Sequence, residues 1–126
     1  MEELPSRFAR IVEAIETLRI SPQNQEYDLH ALISSALSER SIHHEHEARI
    51  GAGCRVDFLI DRIAIEIKIG KPSSSALRKQ LERYLMCDVL EGIIVVTERS
   101  TSLPHTIHGK RIVNISLNRL WGVSLP

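Results

Sequence analysis

Residues 54–69 read CRVDFLIDRIAIEIKI and predict the centre of the fold. Apolar side chains alternate with other residues on both sides of Asp61-Arg62, a period of two that is typical of strands with two different faces. Asp61-Arg62 is therefore predicted to be a tight hairpin turn. Glu66 and Lys68 interrupt a series of isoleucines and share one face of the second strand. Burial of these charges is costly unless they have partners or a function.

The patterns on either side of this hairpin predict an α/β protein with a mixed central sheet of about five strands flanked by helices. Helices are predicted over residues 6–20, 22–40 (beginning at Ser21-Pro22) and 75–90 (capped by Ser75), and strands over residues 41–50, 54–60, 63–69, 93–97 and 111–117. The strand over residues 93–97 is continuously apolar, which predicts that it is covered on both faces. Residues 98–110 are predicted to be a loop.

Composition indicates one globular domain over residues 1–126, with an N-terminal helix in 1–20, a core in 22–97 and a C-terminal loop and strand in 98–126. No apolar run is long enough to span a membrane, and the acidic N-terminus lacks a signal-peptide pattern. We therefore expect a cytoplasmic protein with no membrane partner. The widely spaced Cys54 and Cys87 are predicted to be reduced thiols rather than a disulfide.

Sixteen Lys and Arg balance sixteen Asp and Glu, so the net charge is zero. This balance argues against nucleic-acid binding by bulk electrostatics and restricts any such binding to a local patch. One candidate patch lies downstream of the hairpin, at Lys68, Lys71, Arg78, Lys79 and Arg83.

The predicted hairpin also brings two carboxylates together. With the turn at residues 61 and 62, Asp57 lies opposite Glu66, with Cβ atoms roughly 5 Å apart. Facing carboxylates repel each other unless a cation lies between them or one keeps a proton. Oxygen ligands suit Mg²⁺ or Mn²⁺, and Lys68 on the same face can polarise a water molecule or hold a phosphate. The set predicts metal-assisted hydrolysis of phosphodiester bonds.

Asp57, followed after eight residues by Glu66-Ile67-Lys68, resembles the signature of the PD-(D/E)XK nuclease superfamily. The resemblance covers residues 22–97 and implies a restriction-endonuclease-like core. It also implies that Asp57, Glu66 and the backbone carbonyl of Ile67 bind the metal and that Lys68 is the catalytic lysine. Val56 stands where the proline of the family name would be, a departure that is common in the superfamily.

Two helical features extend the resemblance. Glu26 falls inside the apolar sector of its helix and matches the family's first acid, a further metal ligand; alternatively it lies at the helix start, favoured by the dipole, and turns to solvent. Gln80 and Tyr84 match the Gln-x-x-x-Tyr motif of RecB-like members, which positions substrate and lysine. Alternatively, Gln80 and Tyr84 form the margin of the core, and Glu66 and Lys68 form a structural ion pair.

The resemblance implies a stand-alone, RecB-like, Mg²⁺- or Mn²⁺-dependent DNA nuclease that acts on single strands or DNA ends. Junction-resolving dimers with the same acidic pattern and a non-catalytic nucleic-acid-binding module are the alternatives. DNA is the expected partner, together with a second copy of the chain or another protein that supplies specificity. A histidine metal site at His43, His44 and His46 is the weaker prediction, because no fourth ligand accompanies it. These histidines are instead predicted to lie on a solvated strand.

Overall fold

A computed structural model of the chain, which describes residues 3–18, 26–70 and 73–119, contains a mixed six-stranded sheet with helices on both faces. The predicted start of the second helix at Ser21-Pro22, together with Lys71, lies outside the described residues. The elements in chain order are α1 Leu4–Glu16, α2 Glu26–Glu39, β1 Glu45–Gly51, β2 Cys54–Ile60, β3 Ile63–Lys68, α3 Ser74–Leu85, β4 Gly92–Thr97, β5 Thr106–Ile107, β6 Lys110–Ser116 and a 3₁₀ turn Leu117–Arg119.

The strands lie in the order β1-β2-β3-β4-β6-β5. The first three form an antiparallel meander, β3, β4 and β6 are parallel, and β5 is antiparallel to β6. The predicted hairpin turn is confirmed, because Ile60 pairs with Ile63 across Asp61-Arg62. Asp61 has a φ of 52°, a left-handed conformation that aspartate tolerates in turns.

Two apolar clusters fill the space between the sheet and the helices. α1 and α2 pack with Phe58, Ile65 and other side chains on one face, and α3 packs on the other face against Val56 and Val95. All six residues of β4 are buried, which confirms that this strand is covered on both faces. The sheet therefore lies in the middle of three layers.

Helix α3 differs from its prediction at both ends. Ser73 rather than Ser75 is the N-cap, and its hydroxyl accepts a hydrogen bond from the Ala76 amide at 3.2 Å. The helix ends at Leu85 instead of residue 90, because the Cys87 amide donates to the Tyr84 carbonyl in a tighter turn. This turn directs the chain back to the sheet, where β4 begins at Gly92.

The segment between α2 and β1 is not the strand predicted to begin at residue 41. Ser41 has a φ of 58° and its amide donates to the Ser38 carbonyl, while the Ile42 amide donates to the Leu37 carbonyl. These two bonds form a left-handed helix cap, so the extended conformation begins only at Glu45.

The sheet has six strands rather than about five. The additional strand, β5, has two residues and lies inside the predicted loop over residues 98–110. It carries no alternating pattern long enough to indicate a strand and is held by pairing of Thr106 with Arg111 and of Ile107 with Lys110.

Gly92 is the glycine at which a side chain has least room. A Cβ there would lie 2.5 Å from Cζ of buried Phe8 and 2.8 Å from the backbone carbonyl oxygen of Arg111. We predict that Gly92→Ala lowers the free energy of unfolding by about 3 kcal/mol, because backbone and packed ring must both shift. Urea unfolding would measure the loss. Gly53→Ala is the control: Gly53 has a φ of +69° in open space, so this substitution should cost only about 1 kcal/mol. Equal losses would contradict the packing argument.

Candidate functional site

The carboxylates of Asp57 and Glu66 connect β2 and β3 just beyond the last paired residues of the hairpin. The strand pairing stops at Phe58 and Ile65. Beyond it, the Asp57 amide donates to Oε1 of Glu66 at 2.9 Å, and the Ile67 amide donates to Oδ2 of Asp57 at 2.7 Å. Each carboxylate thus binds a backbone amide of the opposite strand, and the predicted juxtaposition of the two acids is present.

Strand β2 is irregular at Asp57. Val56 packs in the cluster with α3 and Phe58 in the cluster with α1 and α2, although residues two apart in a regular strand share a face. Glu47, in the adjacent strand, has a φ of 53° at this point. Asp57 therefore lies where β2 is irregular, and its Oδ1 lies 3.8 Å from Nε2 of His30 on α2.

The Ile67 backbone borders the gap between β2 and β3 that opens beyond the Phe58–Ile65 pair. The N–H and C=O of one strand residue point to the same neighbouring strand. Because the Ile67 amide is directed to Asp57, its carbonyl is directed to the space from which β2 has diverged. The carbonyl predicted to be a metal ligand thus faces the carboxylate pair.

Glu66 is the most deeply buried carboxylate of the site, with 3% of its surface exposed. Burial, and then the charge of Asp57, raise the pKa of Glu66 from 4.5 to about 7. Lys68 opposes this shift, since its Nζ lies 3.4 Å from Oε2 of Glu66. One buried carboxylate beside a second one, with a single nearby lysine, is an unfavourable arrangement unless a proton or a cation is added.

Gln80 and Tyr84 lie on α3, and Tyr84 is close enough to Glu66 to be affected by its charge. The Gln80 side-chain amide donates to the Tyr84 hydroxyl at 2.9 Å. Burial of Tyr84, followed by the negative charge of Glu66, raises the pKa of this tyrosine. Tyr84 also packs in the α3 core cluster, so it combines a packing role with proximity to the carboxylate pair.

His30 is a site residue that the sequence did not single out. Its Nε2 lies 3.8 Å from Oδ1 of Asp57, and its Nδ1 shares a hydrogen bond of 2.9 Å with Nε2 of His46. The signal available in the sequence was its position four residues after Glu26, on the same side of one helix. α2 begins at Glu26, but the side chain of this predicted ligand lies outside the described structure.

The predicted solvated histidine strand is partly confirmed: His43 and His46 are exposed and His44 is half-buried, but only His46 lies in a strand. His46 stacks on Phe58 with ring centroids 4.8 Å apart, and Nε2 of His44 shares a hydrogen bond of 2.8 Å with Oγ of Ser34. His43 is exposed and, like His44, precedes β1. His46 is thus part of the surroundings of Asp57 rather than an isolated surface residue.

The donor set fits a divalent cation that prefers oxygen. Asp57, Glu66 and the Ile67 carbonyl supply oxygen atoms, which suit Mg²⁺ or Mn²⁺. Burial of Glu66, followed by the charge of Asp57, raises its pKa and disfavours the charged carboxylate in the absence of a cation. Over the residues whose side chains are described, no three His, Cys, Asp or Glu side chains form a group that could hold a metal ion. Among the described side chains, a cation here would be held by two carboxylates, together with a backbone oxygen and water.

A polar cavity of about 300 Å³ opens at the carboxyl ends of the parallel strands and is lined by Gly70, Ser74 and residues 97–102. Thr97, the strand partner of Lys68, is part of its wall. Ligands in open α/β sheets bind at this end of the strands. A second cavity, of about 650 Å³, lies between α1 and the β5–β6 edge, and none of the candidate site residues lines it.

The predicted basic patch is partly present: Arg78, Lys79 and Arg83 are exposed on α3. Its charge is not uniform, since Nε of Arg78 lies 3.8 Å from Oε1 of Glu82.

Comparison of the chain with protein-family models, with curated proteins and with solved structures found no match. Among the described residues, no helix is long and apolar enough to cross a membrane.

Proposed function

We propose that this protein is a divalent-metal-dependent nuclease with a restriction-endonuclease-like core that hydrolyses phosphodiester bonds in DNA. The observation that carries the proposal is the pair of strand-bridging carboxylates, Asp57 and Glu66, with Lys68 3.4 Å from the buried member. A structural ion pair alone would leave one carboxylate charge without a partner whenever both acids are ionised, as they are above the pKa of Glu66, about 7.

The cation would be held by Asp57, Glu66 and the Ile67 carbonyl. When bound, it would activate water and neutralise the charge that develops on the phosphate. One oxygen of each carboxylate is already oriented by a backbone amide, so ordering the site would require little further loss of side-chain freedom.

Lys68 is assigned the proton-transfer or phosphate-stabilising role. The Lys68 side chain is 27% exposed and its Nζ lies 3.4 Å from Oε2 of Glu66, so the ammonium group can reach both Glu66 and a substrate oxygen. Gln80 and Tyr84 would position Lys68 and the substrate from helix α3. His30 would orient Oδ1 of Asp57, the carboxylate oxygen other than the one that accepts from the Ile67 amide. With these assignments, Lys68, Gln80, Tyr84 and His30 would all contribute to the same hydrolysis reaction.

The cavity at residues 97–102 is the proposed path of the DNA strand. It adjoins Lys68 through Thr97, and a polar cavity of about 300 Å³ suits a single strand or an end better than an open duplex-binding face. The modest local charge on α3 agrees with such a path. A four-way junction bound by two copies of the chain is the competing substrate.

A cleavage assay tests the proposal. Metal-stripped wild type and Asp57→Asn would be incubated with Mg²⁺, Mn²⁺ or EDTA and with linear duplex, single-stranded, circular and four-way-junction DNA. We expect cation-dependent cleavage by wild type and a loss of roughly 10³-fold in Asp57→Asn, whose amide retains the shape but not the charge. Glu45→Gln, at an exposed acid that begins the adjacent strand, is the matched control and should cleave normally.

The preferred substrate separates end processing from junction resolution. Failure of wild type to cleave any of these DNAs, together with absence of Mg²⁺ or Mn²⁺ binding by calorimetry, would overturn the catalytic proposal. DNA binding that persists under those conditions would support the non-catalytic module instead.

His46 provides a prediction about the surroundings of Asp57. We expect His46→Phe to keep the ring stack on Phe58 but to remove the 2.9 Å bond that holds His30. Cleavage should fall by about 10-fold through kcat, because residues that orient a metal-site neighbour have effects of this size. His43→Phe, at an exposed position before β1, is the control. Equal rates for the two variants and wild type would rule out a role for the His46–His30 bond.

A further inference from the structure

Cys54 and Cys87, far apart in the sequence, meet in the folded protein. Cys54 pairs with Gly51 at the end of the β1–β2 hairpin, and Sγ of Cys87 lies 3.0 Å from the point where a Cβ of Gly51 would be. Both cysteines pack in the cluster of α3, and Sγ of Cys87 donates to the Arg83 carbonyl at 3.9 Å. Burial, followed by the neighbouring Cys54, raises the pKa of the Cys87 thiol. Gly51 thus leaves room for the sulfur of Cys87 beside Cys54.

The two thiols differ in access to solvent. Cys54 is buried, whereas Cys87 is partly exposed in the turn after α3, next to exposed Met86. The Cys87 backbone is held by Lys110, whose Nζ donates to its carbonyl at 2.8 Å. A reagent in solution can therefore reach the sulfur of Cys87, while the buried sulfur of Cys54 lies next to it.

We propose that Cys54 and Cys87 are a dithiol site that closes to an intramolecular disulfide when a small disulfide such as oxidised glutathione is present. The Cys87 thiolate attacks one glutathione sulfur, breaks the reagent's S–S bond and releases one glutathione thiolate. The Cys54 thiolate then attacks Sγ of Cys87 and releases the second glutathione. Two protein thiols are oxidised, one glutathione disulfide is reduced to two thiols, and the protons pass through solvent to the leaving thiolates.

The bond would enclose the candidate site residues of β2, β3 and α3 in one covalent ring. The ring spans residues 54–87 and contains Asp57, Glu66, Ile67, Lys68, Gln80 and Tyr84. It would join the start of β2 to the turn after α3, the two elements that support the carboxylate pair and Tyr84. The inference does not depend on the nuclease proposal, since it concerns only the two thiols.

The fully reduced chain would be incubated with oxidised glutathione in native buffer and, in parallel, in concentrated urea. Intact mass and peptide mapping would detect the disulfide. We expect closure in the native protein at least about 10-fold faster than in the unfolded chain, because the fold holds the thiols together. The oxidised protein should melt higher by a shift on the order of 10 °C, as expected for a disulfide that closes a ring of this length.

Two variants make the result specific. Cys54→Ser should stop at the glutathione adduct on Cys87, and Gly51→Ala, which pushes the Cys87 sulfur away, should slow the second step without affecting the first. Wild type that stops at the adduct, or that closes no faster when folded than when unfolded, would overturn the proposal.

Discussion

Replacing Lys68 by methionine is expected to lower kcat for DNA cleavage by roughly 10³-fold, the effect of removing a group that transfers a proton or stabilises charge in the transition state. Methionine keeps the length of the side chain but not its charge. Because Lys68 lowers the pKa of Glu66, its loss raises that pKa further above about 7 and weakens cation binding at neutral pH. Binding should return as the pH rises, whereas cleavage should not.

This difference separates a catalytic lysine from one that only neutralises Glu66. Calorimetry with Mn²⁺ and single-turnover cleavage would be measured for Lys68→Met between about pH 7 and pH 9. Lys68→Arg, which keeps the charge near Oε2 of Glu66, should bind the cation at neutral pH yet cleave poorly. Recovery of cleavage in parallel with cation binding would show that Lys68 acts only through the charge of Glu66.

Glu66→Gln is expected to stabilise the metal-free protein at alkaline pH. The pKa of Glu66 is about 7 in the folded protein and near 4.5 when unfolded, so the folded state binds more protons between these values. Wild type therefore loses stability as the pH rises from about 4.5 to 7, and the full penalty, about 3 kcal/mol, remains above that range. Glutamine has no charge to desolvate, and its amide oxygen can still accept from the Asp57 amide.

Urea unfolding in EDTA at about pH 5 and pH 8 would measure the effect, with an increasing advantage of Glu66→Gln expected at the higher pH. Glu82→Gln, on the surface of α3, is the control and should change stability by less than about 0.5 kcal/mol at either pH. Excess Mn²⁺ should restore the stability of wild type but not of Glu66→Gln, because a bound cation offsets the buried charge. Wild-type and Glu66→Gln stabilities that stay parallel across this pH range would contradict the raised pKa.

Local patterns in the sequence were sufficient for the centre of the fold. The hairpin register from Phe58–Ile65 to Ile60–Ile63 was predictable, because a two-residue turn determines which residues face each other. That register brings Asp57 and Glu66 together just beyond its last pair, where each carboxylate accepts from a backbone amide of the other strand. The Gln80–Tyr84 bond was predictable for a similar reason, since residues four apart meet on a helix. The cover on both faces of β4 followed from its continuous apolar run.

Features that depend on distant segments were not predictable. The two-residue β5 exists only because β6 offers a partner, and the end of α3 is determined by the return of the chain to β4. His30 reaches Asp57 through the packing of α2 on the sheet, and Cys54 meets Cys87 across the other face.

The sequence by itself thus determined the pairing of the carboxylates, because strand and helix periods act over a few residues. Only the tertiary structure decided how deeply Glu66 is buried, which residues surround it and which thiols meet. These features depend on how whole helices and strands pack against each other. The distances between segments that are far apart in the sequence cannot be read from the spacing of residues within one segment.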